Sequence, residues 1–600
     1  MKVYCNPLNV NYRYQFNQDP RQGGRLQICR EAADPSLICF RGRYYIFASM
    51  TLGVWVSDDL AHWENHRLPA ELPLYDYAPD VRVMGDWVWL CASSHEKNCD
   101  RYRTKDILNG PYEKVEGSFP FWDPNLFIDD DGRVYFYWGC SNMTPIYGVE
   151  LDPSTMQPIG EKRELVFGDP WHIGYERVGH DNSTLPATEE EIDAKVEGFL
   201  KARQMTWEQL PAAHRGMIRG MFSDRPYIEG AWMDRHEGRY YLQYAAPGTQ
   251  YNAYSDGVYV SESPLGPFSL ADNNPYSYKP GGFLPGAGHG STMQDQEGNW
   301  WHASTMRISM NHDFERRVGL WPAGFDADGE LFCNQRYGDW PLRVQEGRKD
   351  PWADPEWMLL SAGKRATASS FLPGHEPEKA AQEDVQTWWR AATNSREEWL
   401  CLDLEKVFDV RAVQINFADD KIDLPCPGPI RPGTQARYIE EADTFTRWRL
   451  EVSTDGENWT VLEDKSEAQT DFSHDLIVRE EGFAARYLRL SQMQVPYGQN
   501  PCISGLRVFG LGKGEKPAVP ASEAVRTSDL DMTVTIREQA DATGFNILFG
   551  NSPEKLYHSY MVFAPGAQKI GAVIAGREYF VRVDAFNENG ITTGDCQRVG

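Results

Sequence analysis

The chain has 600 residues, more than one hydrophobic core usually supports, so we expect two to four domains. Its formal net charge of -27 would repel nucleic acid and anionic membrane surfaces, which argues against both as partners. Aromatic residues make up 13% of the chain, a level typical of proteins rich in β-strands.

The first residues and the cysteines bear on where the protein is found. The N-terminus holds no apolar run of signal-peptide length, and no later segment approaches a membrane-spanning apolar run. The 11 cysteines lie scattered through strand-like segments without metal-type pairs, which favours reduced thiols. We therefore predict a cytoplasmic protein without a membrane span, or an extracellular one if an export signal was removed.

A repeated pattern runs through the first 340 or so residues. Each copy has a turn glycine followed by an aromatic-rich strand, and the glycines are Gly42, Gly85, Gly132, Gly238 and Gly298. A short strand precedes each turn and outer strands follow it, which gives roughly four strands per copy, as in a propeller blade. The sequence therefore predicts an all-β fold that begins with a five-bladed β-propeller.

A polar residue opens the short strand of each copy. These residues are Asp34, Asp80, Asp123, Glu229 and His289, and they precede the turn glycines by 8, 5, 9, 9 and 9 residues. Since the innermost strand of a blade starts at the mouth of the central channel, we expect the five side chains to converge. A single polar residue at a strand start often only caps a turn, but three acids and a histidine in one phase favour a shared site.

The acids of this ring match the needs of one reaction. Cleavage of a glycosidic bond requires a proton donor for the leaving oxygen and a second carboxylate that activates water or attacks the sugar. A third carboxylate nearby raises the pKa of the donor by repulsion. Asp34, Asp123 and Glu229 supply these groups. The same acids could bind a cation, although the sequence contains no dense Asp/Asn ligand loop.

Residues 30 to 340 resemble glycoside hydrolase family 43. The motifs that carry the resemblance are A-D-P at Asp34, W-D-P followed by F-x-D-D-D-G at Asp123, and Y-I-E-G at Glu229. The resemblance implies that Asp34 is the general base acting on water, Glu229 the general acid, and Asp123 the group that orients and tunes the acid. It also implies inversion at the anomeric carbon, with retention as the alternative.

The same resemblance suggests further site residues. Asp80 matches a position that contacts sugar hydroxyls, although a turn cap is an equal alternative. His289 matches an axial histidine that coordinates calcium through water in some members and faces the site without metal in others. Arg316 falls near the arginine that grips the substrate, and Arg317 is the alternative. We expect no required cofactor and no directly bound metal, with calcium near His289 left open.

Retention of the base Asp34 favours a pentose substrate over the galactan substrates of another branch of the family. The resemblance therefore implies hydrolysis of terminal α-L-arabinofuranoside or β-D-xyloside residues from plant-type oligosaccharides. The alternative is a non-catalytic carbohydrate-binding or glycan-adhesion propeller protein, in which the acids only bind sugar. The partner is an oligosaccharide in either reading, and the sequence predicts no oligomeric state.

The interval between Gly132 and Gly238 is longer than the others, 106 residues against 43, 47 and 60. The surplus, about residues 169–222, contains two capping-box spacings, Thr188 to Glu191 and Thr206 to Gln209, each of which predicts the start of a helix. Because the insertion ends just before Glu229, it either walls off one side of the site and favours exo action, or only covers a blade edge.

Two further β-domains are predicted after the propeller, which we assign to residues 1–345. Residues 352–511 resemble a discoidin-like sandwich of the coagulation factor type C kind, and residues 517–600 resemble a fibronectin type III sandwich. Nothing in the last stretch suggests chemistry.

Overall fold

A computed structural model of the chain describes residues 2–18, 25–93, 97–432 and 436–599, and strands dominate its regular structure. The predicted all-β class is therefore confirmed. No helix among these residues combines the length and the apolar character that crossing a membrane requires.

The propeller region begins with three strands and continues as five four-stranded sheets in the described part of the chain. The first strands are β1 (Val3–Tyr4), β2 (Arg13–Gln18) and β3 (Leu26–Glu31). Blade one contains β4 (Ala33–Phe40), β5 (Arg43–Ser49), β6 (Gly53–Ser57) and β7 (Glu64–Arg67). Blade two contains β8 (Asp80–Met84), β9 (Trp87–Cys91), β10 (Arg101–Thr104) and β11 (Glu113–Val115). Blade three contains β12 (Asn125–Ile128), β13 (Val134–Trp138), β14 (Ile146–Leu151) and β15 (Pro158–Val166). Blade four contains β16 (Glu229–His236), β17 (Arg239–Ala246), β18 (Ser255–Ser261) and β19 (Ser269–Leu270). Blade five contains β20 (Gly288–Gln294), β21 (Trp300–Arg307), β22 (Arg316–Phe325) and β23 (Leu331–Cys333).

The five blades close into a ring. Each inner strand contacts the inner strand of the next blade, and β20 of blade five contacts β4 of blade one. At four of the five junctions, a side chain of one inner strand accepts a hydrogen bond from the backbone of its neighbour. The pairs are Ser36 with Val81 N, Asp80 with Leu126 N, Asn125 with Met233 N, and Ser291 with Leu37 N, at 3.1, 2.7, 2.8 and 2.9 Å. The predicted five-bladed propeller is confirmed.

The predicted helical insertion lies between blades three and four. It contains α1 (Glu189–Ala202) and α2 (Ala212–Met221), which pack through Ile192, Val196, Leu200, Leu210 and Ile218. Thr188 and Glu191 form the predicted capping box at the start of α1. Asn142 Nδ2 donates to the Gly220 carbonyl at 2.8 Å, so α2 is tied to the loop that leaves β13.

The second capping box does not open an α-helix as predicted. Thr206 N donates to Gln209 Oε1 at 2.7 Å, but the residues that follow form a short 3-10 turn and α2 begins at Ala212. Pro211 explains the break, because proline disfavours helical backbone in the residue before it and is accepted at a helix start. The described 3-10 turns are Gly174–Glu176, Trp207–Gln209, Pro377–Ala381 and Pro496–Gly498.

The second β-domain follows β24 (Leu342–Arg343), which pairs with β1. Its strands are β25 (Met358–Leu359), β26 (Arg365–Ala368), β27 (Trp389–Arg390), β28 (Leu400–Phe417), β29 (Ala436–Ile439), β30 (Arg447–Ser453), β31 (Thr460–Asp464), β32 (His474–Gln494) and β33 (Cys502–Leu511). The long strands β28 and β32 bend at irregular register steps and enclose a core that includes Trp389 and Trp448. One strand, β29, leaves this sheet and pairs with β2 of the propeller region.

The last region forms two sheets. Its strands are β34 (Ser522–Ser528), β35 (Asp531–Ile536), β36 (Gly544–Gly550), β37 (His558–Val562), β38 (Gly566–Ile570), β39 (Tyr579–Asn587), β40 (Gly590–Thr592) and β41 (Cys596–Val599). β34, β35 and β38 form one sheet, and the other five form the second. The sheets break between Arg343 and Met358 and between Leu511 and Ser522, where we propose the domain limits.

The three regions share hydrophobic contacts. The fully buried Trp340 lies 6.2 Å from the ring of Phe509 in β33 and 5.2 Å from the ring of Phe586 in β39, measured between centroids. A larger core joins blades three and four to the last region, where Tyr278 packs on Phe549. The appended sandwiches therefore dock on the propeller rather than hang from linkers.

Candidate active site

The inner strands begin with a repeated backbone distortion. Asp34, Ala78, Asp123, Gly230 and His289 have φ values of 53°, 48°, 46°, 65° and 48°. A left-handed φ is uncommon for residues other than glycine and costs free energy, so its recurrence at four non-glycine positions marks a constrained site. In blades one, four and five the strand pairing also slips here, as it does at a β-bulge.

Three carboxylates and one imidazole meet at this end of the channel. His289 Nδ1 lies 3.4 Å from Asp34 Oδ1 and 3.6 Å from Asp123 Oδ2. One oxygen each of Asp123 and Glu229 and the Cys140 sulfur lie within 4.8 Å of one another. Asp34, Asp123 and Glu229 are only 5%, 5% and 9% exposed. The structure thus brings together four residues that are as much as 255 positions apart in the sequence.

Asp34 is held in its ionised form. Burial raises the pKa of its carboxyl group, but Arg316 and His289 overcome that effect and leave the pKa below its ordinary value. Arg316 Nη1 donates to Asp34 Oδ1 at 3.1 Å, and Ser49 Oγ donates to Oδ2 at 2.8 Å. Asp34 is therefore a carboxylate whose negative charge is stabilised at neutral pH.

Glu229 lies between two neutral donors. Tyr254 OH donates to Glu229 Oε1 at 2.6 Å, and Cys140 Sγ donates to Oε2 at 3.1 Å. Burial, followed by the nearby carboxylates, raises the pKa of both donors well above the ordinary values. Both groups keep their protons at neutral pH and orient the Glu229 carboxyl group.

Asp123 has the opposite electrostatic environment to Asp34. Burial, together with repulsion from Glu229 and Asp34, raises its pKa to about 7, although His289 counteracts the shift. Gly230 N donates to Asp123 Oδ2 at 3.3 Å, which places Asp123 against the residue that follows Glu229. Asp123 can therefore retain a proton near neutral pH, beside the Glu229 carboxyl group.

His289 lies among these acids. Burial would lower its pKa, but Asp34, Asp123, Glu229 and Asp256 raise it above the ordinary value. The donor cluster nearby consists of Asp123, Glu229 and the Cys140 sulfur, whereas calcium takes six to eight oxygen ligands. These three donors do not suit direct ligation of calcium, and calcium held through water near His289 stays a prediction.

The adjacent arginines Arg316 and Arg317 have different surroundings. Arg316 bridges the site, because Nη2 donates to Glu31 Oε1 at 2.6 Å while Nη1 reaches Asp34. Its guanidinium also lies 4.8 Å from the Phe314 ring. Arg317 instead donates to His474 Nε2 of the second domain at 2.9 Å. Arg316 is therefore the arginine of the candidate site.

Asp80 links blades and does not join the acidic cluster in any described contact. Asn125 Nδ2 donates to Asp80 Oδ1 at 2.9 Å and Leu126 N donates to Oδ2 at 2.7 Å. Ala78, with its left-handed φ, occupies the place that Asp34 and Asp123 hold in their blades. The shorter offset of Asp80 from its turn glycine, 5 residues, was the sequence signal of this difference. Its predicted contact with sugar stays a prediction.

A second repeated position was missed by sequence reasoning. Ser49, Ser93, Cys140 and Thr305 lie within two residues of the ends of the second strands of four blades, 7 or 8 residues after the turn glycines. Each contacts the start of the inner strand in the next blade around the ring: Ser49 with Ala78 N at 2.7 Å, Ser93 with Asp123 N at 2.9 Å, Cys140 with Glu229 Oε2 at 3.1 Å, and Thr305 with Asp34 N at 2.9 Å. Their regular spacing was visible in the sequence.

The propeller region is similar to known glycosyl hydrolases. Residues 28–178 and 203–331 match the family model described as glycosyl hydrolases family 43. Xylosidase/arabinosidase 43A of Humicola insolens is 26% identical over 342 aligned positions, and the match covers 50% of this chain and 95% of the relative. The putative beta-xylosidase of Escherichia coli is 25% identical over 473 aligned positions, and the match covers 73% of this chain and 72% of the relative. A solved structure of a family 43 protein from Bacillus licheniformis covers 99% of this chain and 91% of its own at 14% identity, with a TM-score of 0.39.

The second domain also has a match. Residues 379–490 match the model described as a NedA-like, galactose-binding domain of the coagulation factor type C group, which confirms the discoidin-like resemblance. Neither matched stretch extends beyond residue 490, so the fibronectin type III resemblance of residues 517–600 stays a prediction.

We expect Asp80→Ala to destabilise the propeller by about 1–3 kcal/mol, because it leaves the Leu126 N–H and the Asn125 amide without their acceptor in a buried joint. Thermal unfolding followed by circular dichroism measures the change. Asp131→Ala, at a largely exposed aspartate of the same ring, is the control and should unfold as the wild type does. An Asp80→Ala protein as stable as the wild type would contradict a stabilising role for the hydrogen bonds of Asp80 between blades two and three.

Proposed function

We propose that this chain, whose residues 28–178 and 203–331 match the model of glycosyl hydrolases family 43, removes terminal α-L-arabinofuranoside or β-D-xyloside residues from plant-type oligosaccharides. That it is a glycosyl hydrolase rests on the family match and on relatives named xylosidase/arabinosidase and beta-xylosidase. The observation that carries the proposal is the buried group of Asp34, Asp123 and Glu229, in which the carboxylate of Asp34 is held ionised and the pKa of Asp123 is raised.

Asp34 is the general base in this mechanism. A base must be deprotonated at the working pH, and Arg316 and His289 stabilise its negative charge. It accepts a proton from a water molecule as that oxygen forms a bond to the anomeric carbon. Its hydrogen bonds to Ser49 and Arg316 fix the carboxylate while it does so.

Glu229 is the general acid. It donates its proton to the glycosidic oxygen as the bond from that oxygen to the anomeric carbon breaks. Tyr254 and Cys140 orient its carboxyl group, and we assign Asp123, which accepts from Gly230 N, to orienting and tuning the acid. Water attacks from the face opposite the leaving group, so the configuration inverts.

The insertion supports exo action. Its helix α2 is tied to Asn142, two residues after the thiol that contacts Glu229, so the insertion is anchored beside the proposed acid. A wall at this side shortens the site and favours terminal residues. Arg316 and His289 stabilise Asp34, and their predicted contacts with sugar form part of the proposal.

We expect Asp34→Asn and Glu229→Gln each to lower kcat/KM on a slow-leaving aryl glycoside or an oligosaccharide by about 10²–10⁴-fold, since each removes one proton transfer. 4-Nitrophenyl α-L-arabinofuranoside and β-D-xyloside identify the preferred sugar, and NMR of the first product formed identifies the anomer. Glu150→Gln, at a carboxylate on β14 outside the cluster, is the control. Wild-type rates in either site variant would refute the proposed roles, and a retained configuration would refute inversion.

The pH profile of kcat/KM should be bell-shaped. Asp34 has a pKa below its ordinary value, so activity should persist until the pH falls below about 4. Asp123 has a pKa of about 7, so activity should fall as the pH rises through that value and Asp123 loses its proton. Initial rates between pH 3 and 10 test both limbs. An alkaline limb beyond about pH 9 would contradict a role of Asp123 in setting that limb.

No metal is needed in this proposal, since proton transfer by the carboxylates suffices and the donors Asp123, Glu229 and Cys140 do not suit direct ligation of calcium. We expect dialysis against EDTA to leave kcat/KM unchanged and added calcium to have no effect. Loss of activity in EDTA that calcium then restores would contradict this, and replacement with magnesium is the control for ionic strength.

A further inference from the structure

A strand of the second domain is built into the propeller region. β29 pairs antiparallel with β2, with Gln15 opposite Ile439 and Gln18 opposite Ala436. β2 pairs in turn with β3, which ends at Glu31, three residues before Asp34. The discoidin-like domain therefore supplies the edge strand of a three-stranded sheet whose other edge leads into the candidate active site.

Arg437 of this strand extends into the propeller. It is 2% exposed, and its Nη1 donates to Gln15 Oε1 at 2.5 Å and to Glu31 Oε2 at 3.1 Å. Glu31 is completely buried, and its other oxygen accepts from Arg316 Nη2 at 2.6 Å. One buried carboxylate thus bridges an arginine of each domain.

The bridge continues to the candidate base. Arg316, which holds Glu31 through Nε and Nη2, uses Nη1 to donate to Asp34 at 3.1 Å. The chain Arg437, Glu31, Arg316, Asp34 contains two positive and two negative groups, all of them buried. Buried charges are tolerated when each is paired, so removal of one end leaves an uncompensated charge inside.

We propose that Arg437 of the discoidin-like domain is a positioning residue for the hydrolysis proposed above. By neutralising Glu31, it leaves the guanidinium of Arg316 shared between Glu31 and Asp34. Without Arg437, the charge of Glu31 falls on Arg316 alone and draws it away from Asp34. The second domain is then a part of the active site and not only a carbohydrate-binding accessory.

Further groups face the four residues of this buried chain of charges. Asp34 faces Arg316 and His289, and His289 in turn faces Asp123, Glu229 and Asp256. Arg437 faces Glu31 and the Cys29 thiol, and its ring neighbour is Tyr77, whose centroid lies 4.8 Å away. Among these groups, Arg437 acts on Asp34 through Glu31 and Arg316.

The test compares Arg437→Gln with Arg437→Lys in the full-length protein. We expect Arg437→Gln to lower kcat/KM about tenfold or more. We also expect the acidic limb of its pH profile to move upward by about half a pH unit or more, because Asp34 loses part of the stabilising positive charge of Arg316 beside it. Arg437→Lys keeps that charge and should keep the limb near its wild-type position. A structural role alone would lower the yield or the unfolding temperature without moving the limb.

Arg507→Gln is the matched control. Arg507 is a buried arginine of the same domain that also pairs with a glutamate, Glu383, and donates to the propeller at the Asp339 carbonyl at 2.5 Å, but it has no described contact with the acidic cluster. The Arg507→Gln substitution should weaken the contact between the domains and leave the acidic limb of the pH profile unchanged. If the wild type is active and the acidic limb of folded Arg437→Gln does not move, this inference alone is overturned. A wild type that hydrolyses no glycoside overturns the proposed function, and this inference with it.

Discussion

The whole active end of the propeller depends on balancing buried negative charge. Three carboxylates close together and away from water repel one another, and their charge is costly to bury without cations. Blade five supplies both cations of this cluster, Arg316 and His289, while the acids come from blades one, three and four. The ring must therefore close before the buried charges are balanced, so closure of the propeller and assembly of the candidate site depend on each other.

The same strand ends serve fold and site. The residues with a left-handed φ include Asp34, Asp123 and His289 of the candidate site. The residues two positions later, Ser36, Asn125 and Ser291, join neighbouring blades by hydrogen bonds. The ends of the second strands add a further set of contacts between blades. Most of these contacts accept from backbone N–H groups, and Cys140 contacts the Glu229 side chain directly. The hydrogen bonds between blades therefore fix the positions of the acids.

Local patterns carried the sequence predictions that hold. The turn glycines with their aromatic strands predicted five blades, and the phase of Asp34, Asp123, Glu229 and His289 predicted that these side chains meet. Asp80 was placed in that phase despite its shorter offset, and the structure puts Ala78 there instead. Arg316 and Arg317 could not be separated from the sequence, because neighbouring residues of a strand face opposite sides and the register decides which faces the channel.

Long-range docking was beyond any local pattern. The residues of β29 show nothing in their sequence that predicts pairing with β2, more than 400 positions earlier, since that contact depends on how the domains dock. The helix start at Thr206 failed for a similar reason of context, because Pro211 lies just beyond the box. For β29 there was no local signal to use, whereas at Thr206 a correct local signal was overruled by a neighbour along the chain.

A strand shared across a domain boundary limits how such a chain can evolve. Accessory modules joined by loose linkers can be swapped between enzymes by recombination without harm to the reaction centre. Here a crossover at the junction after Arg343 would discard β29 and leave β2 with an unpaired edge. Exchange of the second domain alone would therefore expose that edge in this chain, so each domain constrains substitutions in the other.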